Sequence, residues 1–95
     1  MAVKIIIKRI VPVDKISILA PLLRQLRALA TDQRGYISGE TLKNLDDPGE
    51  HLVISTWNSV EDWKKWEHNK ERTEIQHKID AILKQKTEYG IYVHD

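Results

Sequence analysis

The sequence predicts an α+β fold of element order β-α-β-β-α-β, the ferredoxin-like arrangement of a four-stranded antiparallel sheet with helices on one face. Three observations predict it. Runs rich in β-branched and aromatic residues open and close the chain, each short enough to be a strand. After the first run, leucines recur at three- and four-residue steps, as on one face of a helix. The segment Asp46-Asp47-Pro48-Gly49-Glu50 then separates two further apolar runs with strong turn chemistry, which makes them an antiparallel hairpin.

The first strand is expected over Val3 to Val11 (VKIIIKRIV), and Pro12 ends it because proline cannot donate to a sheet ladder. The first helix is expected over Ile16 to Thr31. Leu19, Leu22, Leu23, Leu26, Leu29 and Ala30 form its apolar stripe, with Arg24, Gln25, Arg27 and Ala28 on the other side. Asp14 or Ser17 is expected to cap its start. Pro21 requires either that the regular helix begin close to it or that the first turn bend there. Gly35 marks the stop. Tyr36 to Leu45 and Leu52 to Trp57 are the two hairpin strands. Ser59-Val60-Glu61-Asp62 has the form of a capped helix start, with an acidic residue three positions after the serine. A short helix carries Trp63 and Trp66, and a second helical stretch runs from about Lys70 to Leu83, so the second α of the pattern is broken in two. Thr87 to His94 is the last strand.

The chain has 95 residues, expected as a single domain over 1–95, and its 41% hydrophobic and 31% charged residues are ordinary for a globular protein. A net charge of +1 without a basic block argues against nucleic acid as a partner. No apolar run approaches the roughly 18–20 residues of a membrane span. The charges within the first strand also argue against a signal peptide. The absence of cysteine excludes a disulfide framework, a thiolate nucleophile and cysteine-based metal sites, and it fits a cytoplasmic protein. There is no G-x-G-x-x-G, P-loop or H-E-x-x-H motif.

A sheet covered on one side alternates apolar and polar residues along each strand. Here Val3, Ile5, Ile7 and Val11 share one face of the first strand, while Ile6 and Ile10 occupy the other. Leu52 and Ile54 stand opposite in phase to Val53 and Trp57, and Tyr89, Ile91 and Val93 opposite to Tyr92. Helices can cover one face only. The economical cover for the second is another copy of the chain, so a homodimer through the sheet face is expected.

The element order, the Gly35-Tyr36 step into the second strand and the stretch from Ile54 to Trp66 together resemble the antibiotic biosynthesis monooxygenase family. Its members carry a W-x-S/N-x-x-x-[FW/aliphatic]-x-x-W run at the third strand and following helix, matched here by Trp57, Ser59, Trp63 and Trp66. The resemblance covers nearly the whole chain. It implies a dimeric α+β barrel made by two sheets packing face to face. It also implies a cofactor-independent monooxygenase acting on a small phenol or quinol. A non-enzymatic dimeric ligand-binding or structural module, or a heme-degrading monooxygenase, are the other roles the family holds.

By the resemblance, Trp66 lines a cavity between sheet and helices. An indole there offers a large apolar wall and one N–H donor to a flat aromatic substrate. Trp63, Arg72 and Tyr36 are the expected substrate contacts. Core packing is the competing role for both Trp63 and Trp66, and exposed ion pairing for Arg72. His68 lies two residues past Trp66. A helix extended back to it would bring it near the Ile75–Ile79 stripe, where it could accept a phenol proton; otherwise it is a polar residue in the break between two helices. Heme-degrading members place a histidine ten residues after the equivalent tryptophan. That position is Gln76, and His77, one step late, is expected to face solvent, so neither heme nor a metal is expected.

Overall fold

Aliphatic side chains at every second position of the opening run decide which face of the sheet is covered. In the computed structural model, which describes residues 1–95, that run is strand β1 (Val3–Ile10), and Val3, Ile5 and Ile7 are buried on its inner face. A 3-10 turn at Val13–Lys15 leads into helix α1 (Ile16–Thr31). Strands β2 (Tyr36–Lys43) and β3 (Glu50–Trp57) follow, then helices α2 (Val60–Glu67) and α3 (Lys70–Leu83), and strand β4 (Glu88–Tyr92). The sheet order is β2-β3-β1-β4 and every neighbouring pair is antiparallel. This is the predicted ferredoxin-like α+β fold.

The register fixes the two faces, because residues directly opposite in a ladder share a face. Val3, Ile5, Ile7 and Arg9 stand opposite Trp57, Ser55, Val53 and His51, and these form the inner face. On the outer face, Ile6 stands opposite Ile54, with Lys4 and Lys8 opposite Thr56 and Leu52. Two clusters make the core. One joins Val3, Ile5 and Ile7 to Trp57, Trp63 and Trp66; the other joins Val11 and Leu19 to Ile75 and Ile79 between α1 and α3. The outer face keeps an uncovered apolar centre, with Ile6, Leu52 and Ile54 half-buried and Ile10, Leu42 and Tyr92 exposed. The ion pair of exposed Lys8 with half-buried Glu50 (2.8 Å) flanks it. Hydrogen bonds from Lys8 and Asn44 hold the Glu50 carboxyl below the usual carboxylate range.

Several boundaries differ from expectation, each for a local reason. Strand β2 stops at Lys43 rather than Leu45 because the Asn44 side chain accepts from the Asp46 and Asp47 amides and turns the chain. Strand β4 is shorter than Thr87 to His94, since its pairing with β1 runs only from Glu88 to Tyr92. Neither Asp14 nor Ser17 caps α1, which starts at Ile16 after Lys15 without a side-chain cap. The helix also passes through Pro21 without beginning near it. The proline ring removes the hydrogen bond to the carbonyl four residues back, that of exposed Ser17. The expected cap at Ser59 is present, its hydroxyl accepting from the Asp62 amide, and Asn69 caps α3 in the same way through the Arg72 amide.

Gly35 joins α1 to β2 at φ 86°, a left-handed conformation that glycine adopts freely. Its carbonyl accepts from the Asn58 amide (2.8 Å), and a Cβ there would overlap the Asp62 carboxylate. The α1–β2 turn thus lies against the start of α2.

Leu19 and Ile79 are fully buried against one another's helices. Replacing either by alanine is expected to destabilise the fold by about 2–5 kcal/mol in urea unfolding. Ser59→Ala is expected to cost about 1 kcal/mol, through the lost cap.

Candidate functional site

The helices do not fill the space above the inner face of the sheet. A cavity of about 370 Å³ lies between α1 and the β2–β3 half of the sheet. Leu23, Leu26 and Ala30 form its helical side, and Ile7, Val53 and Ser55 lie on its floor.

One end is aromatic. Trp63 and Trp66 project from the same side of α2, because positions three apart on a helix are neighbours. Both are buried. Trp66 stacks on Trp57 at 6.5 Å between ring centroids and 22° between planes, while Trp63 meets Trp57 edge-on at 5.9 Å. Tyr36 closes the group, edge-on to Trp57 at 5.4 Å. A bulge at Ile37 sets its direction. Tyr36 pairs with Trp57 and Ser38 with Thr56, so the extra residue puts Tyr36 on the same face as Gly39 and Thr41. Its hydroxyl then lies over Gly39, where a Cβ would come within 2.6 Å of it.

Most of the rest of the lining is polar, and four arginines, Arg9, Arg24, Arg27 and Arg72, are part of it. Arg9 and Arg72 are 6% and 5% exposed, and neither forms an ion pair. Arg72 donates to the Tyr89 hydroxyl and to the Glu67 carbonyl, and its guanidinium lies 5.7 Å from the Trp63 ring centre and 6.0 Å from that of Trp66. Arg9 donates from Nη2 to Gln76 Oε1 (3.3 Å). Gln76 in turn donates to Asp80 (2.9 Å) and to the Thr87 hydroxyl (2.8 Å). Burial pushes the Arg9 guanidinium below its ordinary value; the nearby Arg72 charge acts the same way, against Tyr89 and Asp80. His51, opposite Arg9 on β3, is the one imidazole bordering the cavity.

Of the side chains the sequence singles out, Trp66, Trp63, Tyr36 and Arg72 all border the cavity. His68 does not. Helix α2 ends at Glu67 and α3 starts at Lys70, so no continuous helix carries His68 toward the Ile75–Ile79 stripe. It is exposed, with its ring Nδ1 2.8 Å from the Lys64 carbonyl. Arg72 is buried, against the expectation of an exposed ion pair. His77 faces solvent, and the side chain next to it that borders the cavity is Gln76, already engaged with Arg9, Asp80 and Thr87. An imidazole ligand for heme iron at that helix position is therefore missing. Arg9, His51 and Gln76 are lining residues that the motif does not reveal. For Arg9 a signal exists, since it keeps the two-residue phase of Val3, Ile5, Ile7 and Val11.

The sequence profile of the antibiotic biosynthesis monooxygenase family matches residues 2–78. No curated protein is significantly similar in sequence. Solved structures superpose closely at low identity. A conserved protein from Methanosarcina mazei Go1 has a TM-score of 0.91 at 19% identity, over 100% of this chain and 94% of that one. Rv0793 from Mycobacterium tuberculosis has 0.87 at 15%, over 100% and 96%. SnoaB, a cofactor-independent oxygenase from Streptomyces nogalater, has 0.78 at 12%, over 99% and 93%. With four-fifths of its length matched by the profile, and the tryptophan run of the motif assembled at one cavity, this chain belongs to the antibiotic biosynthesis monooxygenase family.

Proposed function

We propose that the protein is a cofactor-independent monooxygenase that oxidises a small phenol or quinol in the cavity beneath α1, and that it works as a cytoplasmic homodimer. The carrying observation is the cavity itself, about 370 Å³ with an aromatic end and a few convergent polar groups, as small-molecule sites are built. A structural module would have closed this space with aliphatic side chains. The oxygenase SnoaB, of the same fold, supports the absence of a cofactor.

Trp66, Trp63 and Tyr36 hold a flat ring by its faces and edges. An imidazole is the side chain best suited to taking a phenol proton near neutral pH, and His51 replaces His68 in that role because it borders the cavity. The phenolate gives one electron to oxygen. The resulting superoxide and phenoxyl radical couple at a ring carbon, and the hydroperoxide formed loses water to leave a quinone. One oxygen atom enters the product, the other leaves as water, and the four electrons come from the phenol. The positive charge of the lining favours the phenolate and the superoxide that follows it.

The uncovered apolar centre of the outer face supports the dimer, as a second sheet laid on Ile6, Leu52 and Ile54 would remove them from water. Light scattering is expected to give twice the 11.1 kDa chain mass at micromolar concentration, and Ile54→Lys to return the monomer.

Oxygen uptake with a hydroxylated anthrone tests the activity. The protein is expected to accelerate uptake over buffer with equal moles of oxygen and substrate consumed. His51→Ala is expected to lower the rate about a hundredfold, with His68→Ala unchanged. Binding without uptake would identify a ligand-binding module instead.

A further inference from the structure

Four arginines border the cavity: Arg9 and Arg72 deep inside, Arg24 and Arg27 on the exposed side of α1. The one acidic residue at its border, Glu40, is exposed. Arg27 is already engaged with the Thr41 hydroxyl (3.0 Å). The deep pair is different in kind. A guanidinium carries its charge at any physiological pH, and burying that charge without a counterion is costly. Yet neither Arg9 nor Arg72 meets a carboxylate, and the only ion pairs of the chain are Lys8–Glu50 and Lys64–Glu67. The carboxylate linked to Arg9 by hydrogen bonds, that of Asp80, is reached through Gln76.

The hydrogen bonds point the same way. Arg9 has five N–H donors and one protein acceptor, Gln76 Oε1, at the long distance of 3.3 Å. The two buried side-chain polar atoms left without any partner are Arg9 Nε and Trp63 Nε1, both donors and both on residues of the cavity wall. Surplus donors and surplus positive charge, next to an aromatic wall, call for an occupant that supplies acceptors and negative charge on a flat ring.

We propose that the ligand of this cavity is a planar aromatic compound carrying a carboxylate, with the carboxylate held by Arg9 and Arg72 and the ring laid against Trp66 and Tyr36. This rests on the reading of the cavity as the substrate site and narrows it to phenols that bear an acid group. Arg72 is preset for the task, since its guanidinium is stacked among Trp63, Trp66 and Tyr89, 5.0 Å from the Tyr89 ring centre. Arg24 and Arg27 at the mouth attract the anion; the buried pair selects it.

Isothermal titration of the full chain with 2-naphthoate, and in parallel with 2-naphthamide, separates charge from shape. Naphthoate is expected to bind about tenfold tighter or better, as charge-assisted hydrogen bonds require. The preference is expected to persist at about 0.5 M salt, because a buried pair is little screened. In Arg9→Met it is expected to fall to within about twofold, with Arg72→Lys in between, since a lysine keeps the charge and loses the fork. Equal affinity for the two probes, binding of neither, or a preference abolished by salt would overturn the proposal; the last would place the attraction on Arg24 and Arg27. Should Arg9→Met fail to fold, the wild-type ratio and its salt response decide alone. Oxygen uptake with the anthrone but no naphthoate preference would remove this proposal and leave the monooxygenase reading intact. A naphthoate preference without oxygen uptake would do the reverse.

Discussion

A buried guanidinium on the central strand organises the inner side of this molecule. Arg9 occupies a position that the phase of β1 turns toward the helices, where every other residue of that phase is aliphatic. An aliphatic side chain would have closed the layer against α1 and α3. A guanidinium instead needs acceptors from above, and α3 supplies them through Gln76, which is steadied by Asp80 and the Thr87 hydroxyl at the entry to β4. One charged side chain thus links the central strand, the long second-half helix and the last edge strand. It also leaves polar space in the floor of the cavity.

The fold was legible in the sequence because its long elements carry strong local signals. The leucine stripe and its flanking residues gave α1 its ends at Ile16 and Thr31, and the isoleucine stripe gave α3 its ends at Lys70 and Leu83. Ser59 announced α2 through a cap that depends only on residues within one turn. Pro21 did not move the start of α1 from Ile16, because the hydrogen bond its ring removes is the one to the carbonyl of exposed Ser17 near the helix start. The end of β2 was overextended because the Asn44 side chain turns the chain there, and that of β4 because its ladder with β1 runs only from Glu88 to Tyr92, which no local pattern contains.

The site was legible at the tryptophans of the motif and, outside it, at Tyr36 and Arg72, all of which border the cavity. Trp57, Ser59, Trp63 and Trp66 lie within one motif, and the resemblance to the family's tryptophan run is what groups them. His51 follows a turn with no chemical neighbour in sequence, and it meets Arg9 only through the β1–β3 register. Gln76 and His77 differ by one step on a helix, which separates a side chain tied into the core from one in water. His68 looked close to Trp66 in sequence, but the break between α2 and α3 turned it outward.

The glycine between α1 and β2 has a reach beyond its own turn. Its backbone touches the loop that starts α2, and α2 carries both tryptophans of the aromatic wall. A side chain at Gly35 would have to displace Asp62 and with it the first turn of that helix. The aromatic end of the chamber is therefore anchored from outside it, where two stretches of main chain lie against each other. A change at Gly35, which lines nothing, would reach the tryptophans through the first turn of α2.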